Sequence, residues 1–353
     1  MEHFEVIVIG GGQAGLAVAH ALQDRGIEYV VLDASHPGAS WRARYDSLVL
    51  FTPSQYSALP GLPVPLQRDT YPTKNEIADY IASYAEKMDL NVQPGMRVVR
   101  LARDNGNFIV VAENDQRYTA RHVVVATGAL QHPSIPDWAT DVDPSIPQFH
   151  TADYQNPIQV PPSERPVLVV GAGNSGAQIA EELARHRPTI LSFDKLPKRF
   201  PQRFFGKDIF WWFKLFGVMD RTRSSDRSSR EVVGSIPLIN STLPGLLRSG
   251  RLKRRGRAIG SEGPSIVFDK GAAVHPACVI WATGFKNDFS WIDIPDILSA
   301  AGHPRHNRGV SPCSGLYFVG LPGLHTKGSA FIGFVGADAE HLANVIHTQI
   351  KTS

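Results

Sequence analysis

VLVVGAGNSGAQIAEELA, Val167 to Ala184, decides the fold. Four consecutive apolar residues read as a strand buried on both faces. Gly171, Gly173 and Gly176 then follow in GxGxxG spacing, and the helix they open runs to about His186, with Pro188 just beyond. In this pattern the first glycine makes a tight turn and the second admits a pyrophosphate close to the backbone. The third lets helix pack on strand, and the helix N-terminus adds partial positive charge. A GxGxxG alone is weak evidence, because glycine turns also serve packing.

The chain carries the same unit once more. FEVIVIGGGQAGLAVAHAL, Phe4 to Leu22, has its strand at Val6 to Ile9, glycines at Gly10, Gly12 and Gly15, and a helix to about Arg25. The next apolar run, Tyr29 to Leu32, ends in Asp33; its counterpart, Thr189 to Phe193, ends in Asp194. Gly10 to Gly171, Gly15 to Gly176 and Asp33 to Asp194 are all displaced by 161 positions, an internal repeat that chance glycines would not keep. A third landmark repeats too: VVVATG at Val123–Gly128 and VIWATG at Val279–Gly284.

The sequence therefore predicts an α/β protein of two Rossmann-like dinucleotide-binding domains. QNPIQVPPSERP, Gln155 to Pro166, has four prolines in twelve residues and reads as a stiff exposed connection. The buried strand GLYFVG (Gly315 to Gly320) and a closing helix over Ile332 to Ile350 are expected to return to the first domain. That makes it discontinuous, 1–155 with 286–353, around a second domain at 156–285.

Two adjacent dinucleotides suggest an exchange, and hydride transfer between nicotinamide and flavin fits. FAD is assigned to the first unit and NAD(P)H to the second. The candidate FAD residues are Gly10, Gly12, Gln13, Ala14, Gly15, Asp33, Ala34, Ser40, Trp41, Arg42, Val98, Ala126, Thr127 and Gly128. Those for NAD(P)H are Gly171, Gly173, Asn174, Ser175, Gly176, Asp194, Lys195, Thr283 and Gly284.

Composition bounds the rest. At 353 residues, two domains can each bury a core. A net charge of +3 gives no case for nucleic acid or an anionic membrane as main partner. Cys278 and Cys313 form neither a CxxC nor a metal pattern. A reducing cytoplasm fits, with no signal peptide and no apolar run of the ~20 residues that cross a bilayer.

Beyond the repeated motifs, WRARYDSLVLFTPSQYSALPG (Trp41 to Gly61) and YPTKNEIADYIASYA (Tyr71 to Ala85) resemble the flavin-containing monooxygenases, nearest to the short bacterial members and the plant auxin-pathway enzymes. The resemblance covers nearly the whole chain. It implies a pyridine nucleotide-disulfide reductase-like architecture, FAD, NADPH or NADH, and molecular oxygen as co-substrate. It further implies a flavin C4a-hydroperoxide that oxygenates a small organic substrate by S- or N-oxygenation or Baeyer–Villiger insertion. A wet site would let that species decay to peroxide. The chain departs from the family in three places. Of the FxGxxxH motif and its following Tyr, only His150 and Tyr154 survive; Pro144 and Ile146 hold the Phe and Gly places. Phe51 falls where many members have a flavin-side Asn. Asp194 stands where NADPH-using relatives often follow with a base, although Lys195, Lys198 and Arg199 come at once. The balance tilts slightly towards acceptance of NADH, alongside NADPH, because the carboxylate repels a 2′-phosphate.

No catalytic side chain is nominated, since the cofactor carries such chemistry. An electron-passing reductase or oxidase, or a redox sensor of a membrane transporter, are the rival readings. The aromatic stretch Arg203 to Met219 is read as a helix packed on the nucleotide domain, with a substrate lid or peripheral lipid contact as alternatives. The basic run Arg251 to Arg257 is read as an exposed strand and turn, and His303 and His306 lack companions for a metal. His325 is read as structural, with approach to the flavin as the alternative. The substrate is not legible, and a homo-oligomer is left open.

Overall fold

The computed structural model describes residues 1–222 and 237–352. Strand β1 (Glu2–Ile9) enters the core directly, and α1 (Gln13–Gln23) follows the first glycine turn. β2 (Tyr29–Leu32) lies parallel to β1 with Val6 opposite Tyr29 and Ile9 opposite Leu32. Next comes α2 (Lys74–Lys87). It is started by a reciprocal cap in which Thr73 Oγ1 accepts from Glu76 N–H while Glu76 Oε2 accepts from Thr73 N–H. β3 (Val92–Gln93) extends the parallel sheet, and β4 (Val98–Asp104), β5 (Asn107–Ala112) and β6 (Arg117–Val125) form an antiparallel meander. The long β6 runs parallel to β1, which gives this first sheet the run β4-β5-β6-β1-β2-β3, with Ile292–Asp293 pairing parallel on the outer side of β4.

The second sheet holds β7 (Gln148–His150), β8 (Val167–Val170), β9 (Thr189–Ser192), β10 (Leu252–Arg255) and β11 (Cys278–Trp281). All are parallel, in the order β10-β9-β8-β11-β7. β8, β9 and β11 are buried on both faces, as their unbroken apolar sequences require. α3 (Asn174–Leu183) packs on this sheet through Ile179, Ala180 and Leu183.

β12 (Leu316–Phe318) then returns to the first sheet beside β6, pairing Leu316 with Val123 and Phe318 with Val125. The closing helix α5 spans Gly336–Thr352, so it starts later than the expected Ile332; Ile332 and Val335 lie ahead of it, buried. Ala339, Leu342, Ala343 and Ile346 of α5 share one core with Leu16, Val18 and Leu22 of α1. Truncating a fully buried Leu or Ile there would cost about 2–5 kcal/mol.

β7 belongs to the second sheet although it precedes the expected division at residue 155. Its burial against β11 outweighs its place before the proline-rich connection, in which Ile158 is exposed. The aromatic stretch is also more than one packed helix. Arg203–Phe204 and Lys207–Asp208 form a small hairpin, and only α4 (Ile209–Leu215) is helical. Ile209, Phe210 and Met219 are buried, whereas Phe204, Phe205, Leu215 and Phe216 face solvent. Among the described residues no helix is long and apolar enough to cross a membrane.

Candidate functional site

Each glycine turn is locked against its own Ala-Thr-Gly turn, and the two locks match. Gly10 N–H donates to Leu32 O at 2.8 Å while Ala126 N–H donates to Ile9 O at 2.8 Å. In the second unit Gly171 N–H donates to Ser192 O at 2.9 Å and Ala282 N–H to Val170 O at 2.8 Å. Gly10 and Gly171 hold φ of 109° and 107°, values that suit glycine. A Cβ on either would lie 2.6 Å from Ala126 O or 2.3 Å from Ala282 O. Both are backbone oxygens, so no side-chain adjustment relieves the overlap. The third glycines are tighter still. A Cβ on Gly15 would meet Gly10 O at 1.8 Å, and one on Gly176 would meet Gly171 O at 2.1 Å.

The middle glycines differ. Gly12 and Gly173, the N-caps of α1 and α3, have nothing within 4 Å of where a Cβ would stand. Packing therefore does not require glycine there, while a phosphate approaching the helix N-terminus does. Neither helix carries an acidic residue in its first turn. Both cradles fit a dinucleotide diphosphate.

Around the first cradle, Asp33 Oδ2 accepts from Gly11 N–H and Oδ1 from Ser35 N–H at 2.7 Å. Met96 N–H donates to Asp33 O at 2.7 Å, which brings the chain entering β4 at Val98 beside the acid. Gln13 joins three segments: its amide donates to Ala330 O at 2.9 Å, and its oxygen accepts from the Trp41 indole at 3.2 Å. Ser40, Trp41 and Arg42 lie on the short helix Ala39–Arg42, where Arg42 pairs with Asp79 of α2 on the surface. Thr127 and Gly128 are held by Gln131, whose amide donates to Thr127 Oγ1 and Gly128 O, both at 2.9 Å. Ala14 is buried in α1, and Ala34 is exposed next to Asp33.

Around the second cradle, Asn174 and Ser175 form the first turn of α3. The repeat breaks at its acid. A Cβ on Gly11 would sit 3.2 Å from Asp33 Oδ2, and the second unit has Ala172 at the register place of Gly11. Asp194 is exposed there, with Lys195 exposed beside it. A residue outside the expected set stands over this corner. Arg254 of β10 stacks 4.5 Å from the Phe193 ring centroid and donates to Asp194 O at 2.9 Å. Arg254 belongs to the basic run, whose residues Leu252–Arg255 form the expected strand.

Thr283 Oγ1 donates to Ser134 O, and Gly284 O accepts from Ser134 N–H and from His150 Nε2 at 2.9 Å. His150 Nδ1 accepts from Ala152 N–H at 3.1 Å, which assigns the proton to Nε2 in a neutral ring. Burial lowers its pKa, although the contact with Gly284 O opposes this. Tyr154 is wholly buried and donates to Glu182 Oε2 on α3. The two surviving motif residues thus brace the second cradle. Ile146, at the motif's Gly place, is buried in the core on the far face of the second sheet.

Phe51 lies in an aromatic cluster between the units, stacked on Phe210 at 6.1 Å and edge-on to Phe331 at 6.0 Å. Tyr56, Phe213 and Phe334 complete it. A cleft of about 380 Å³ lies alongside, between Val49 and Phe51 on one wall and Asn174, Gln178 and Glu181 of α3 on the other. His325 is held through its backbone N–H, which donates to Ser329 Oγ at 3.1 Å. No group of three or more metal-ligating side chains occurs among the described residues.

Residues 7–199 match the family described as pyridine nucleotide-disulphide oxidoreductase. A CzcO-like oxidoreductase of Geobacillus kaustophilus is 44% identical over 98% of this chain and 99% of its own. The indole-3-pyruvate monooxygenase YUCCA1 of rice (Oryza sativa) is 28% identical, over 97% of this chain and 91% of its own. A double mutant of the flavin monooxygenase from Stenotrophomonas maltophilia superposes with a TM-score of 0.84 at 25% identity, over 99% of this chain and all of the other.

Proposed function

We propose, for a chain that belongs to the pyridine nucleotide-disulphide oxidoreductase family, that the paired cradles serve a monooxygenase acting on a small organic substrate. The chain is a flavoprotein oxidoreductase whose cofactors are FAD and a nicotinamide nucleotide. The family's name does not extend to disulfide chemistry here. Cys278 is buried in β11, its thiol pushed up to about 12 by desolvation, and both cysteines are free.

Gly10, Gly12 and Gly15 would receive the FAD diphosphate at the N-terminus of α1, and Asp33 its adenosine ribose. Gln13 would hold Trp41 and the Ala330 backbone in place around the same group. Gly171, Gly173 and Gly176, with Asn174 and Ser175, would receive the nicotinamide nucleotide. Bound flavin supplies electron transfer from the nicotinamide and reaction with molecular oxygen. The protein positions the two rings and excludes water. Phe51, Phe210 and Phe331 form the apolar wall suited to that exclusion. The observation that carries this reading is the matched glycine-to-Ala-Thr-Gly lock in both units, with an open space before each helix.

The substrate class follows from the chemistry: a thioether, an amine or a ketone. Incubation with NADPH and isotopically labelled dioxygen, across those three classes, tests it. Labelled sulfoxide, N-oxide or ester or lactone is expected. If every reducing equivalent ends in hydrogen peroxide whatever is offered, the chain is an oxidase and the proposal fails.

A further inference from the structure

The WRARYDS segment carries a cation that the fold leaves without an anion. Arg44 is half-buried, and its guanidinium lies 5.2 Å from the ring centroid of Phe285. Among the described residues no carboxylate lies within ion-pair distance of that guanidinium, and no group there accepts a hydrogen bond from it. Desolvation lowers its pKa from the ordinary arginine value, so folding works against the charge it keeps. Lys74, close by, is treated differently: its ammonium bonds to Asp46 at 2.7 Å and to the backbone oxygen of Arg44. A guanidinium that is partly desolvated, unpaired and still open to solvent is placed to receive an anion from outside.

Its surroundings say which anion. Arg44 comes from the first unit, yet its neighbours belong to the second. Tyr45, the next residue, bonds to Ser175 and to Gln178 Oε1 of α3, the latter at 2.6 Å. Phe285 directly follows Gly284 of the second Ala-Thr-Gly turn, and His150, which holds that turn, packs edge-on against the same ring at 4.9 Å. Arg44 thus lies beside the residue that follows the second Ala-Thr-Gly turn, while its neighbour Tyr45 reaches the first turn of α3. Both turns belong to the second cradle. The groups facing it are Tyr45, neutral His150 and the Phe285 ring, none of them acidic.

We propose that Arg44 is a positioning residue which reaches from the first unit to bind the diphosphate of the nicotinamide nucleotide held by the second. This rests on the reading of the second cradle given above. A planar guanidinium presents paired donors to two phosphate oxygens, which an ammonium cannot. The nucleotide then ties the two units together, with a residue of the flavin unit fixing the hydride donor.

Calorimetric titration of the FAD-loaded protein with NADP⁺, and separately with ADP-ribose, tests this. ADP-ribose carries the diphosphate but neither the nicotinamide nor a carboxylate. Arg44→Met should weaken both ligands by about 10- to 100-fold, the loss of a charge-assisted pair. Bound FAD should be unchanged, and without nucleotide the variant should melt no lower than the parent. Arg44→Lys should retain folding and fall between them. Equal binding by parent and Arg44→Met overturns the proposal. If the parent binds neither ligand, the second cradle itself has been misread and the assignment falls with it.

Discussion

Gly15 and Gly10 touch so closely that no side chain fits between them: a Cβ on Gly15 would lie 1.8 Å from Gly10 O. Gly12, two residues beyond Gly10, has open space. The same motif therefore contains one glycine demanded by packing and one that packing leaves free, at the place proposed for the ligand. Gly15→Ala should lower the melting temperature and yield protein without FAD. Gly12→Ala should melt within a few degrees of the parent when both lack cofactor, yet bind FAD at least about tenfold more weakly. Parallel thermal and flavin titrations check both.

Gly176 repeats this in the second unit. Its Cβ would meet Gly171 O at 2.1 Å and the Ala282 side chain at 2.8 Å. Gly176→Ala should keep FAD, because the first sheet does not use it, and lose nicotinamide binding. Flavin content with a nicotinamide titration separates the two.

We propose that coenzyme choice turns on the corner that Arg254 shares with Asp194. The sequence tilts towards NADH through Asp194, whereas the stacked guanidinium at 4.5 Å from Phe193 offers a preset partner to a 2′-phosphate. Arg254→Ala should reduce kcat/KM for NADPH by about 10-fold or more, with NADH changed little. Asp194→Arg should move preference towards NADPH. Steady-state kinetics with both coenzymes measure each shift.

His150 sets a pH limit on stability. Burial holds its folded pKa below the ordinary histidine value, so the unfolded chain takes up its proton first as pH falls. The stability it contributes is whole above about pH 6.5 and drains away below that value. Burial depresses His122, His306 and His341 likewise, so the parent slope is a sum. His150→Gln should lose less stability than the parent between pH 7.5 and 5 in denaturant melts.

How much of this was legible follows from distance along the chain. Cradles, acids and Ala-Thr-Gly turns are local patterns, so the register from Gly10 to Gly171 could be read directly. The partner of each turn was not legible: that Ala126 abuts Gly10 is a pairing across more than a hundred residues. Arg44, Gln131 and Arg254 gained their places from tertiary neighbours; the Trp41–Gly61 segment and the basic run drew notice to two of them without naming what they meet. β7 joins the second sheet by pairing with β11, a partner more than a hundred residues away of which three residues give little sign. The equivalence of Asp33 and Asp194 held in sequence only; Gly11 against Ala172 was the visible hint.

Phe51→Ala opens the wall between the units. Removing a half-buried ring should cost about 2–4 kcal/mol and raise peroxide released per NADPH consumed. Unchanged peroxide would mean that this ring has no part in excluding water.

The central claim is that the second cradle reduces a flavin which then transfers oxygen. Anaerobic mixing of the FAD-loaded protein with NADPH, followed by a pulse of oxygen with and without thioether or ketone, tests it directly. The account predicts flavin reduction, then reoxidation in two phases, the second tied to oxygenated product in equal amount. Single-phase reoxidation, indifferent to substrate and releasing one peroxide per NADPH, would contradict it.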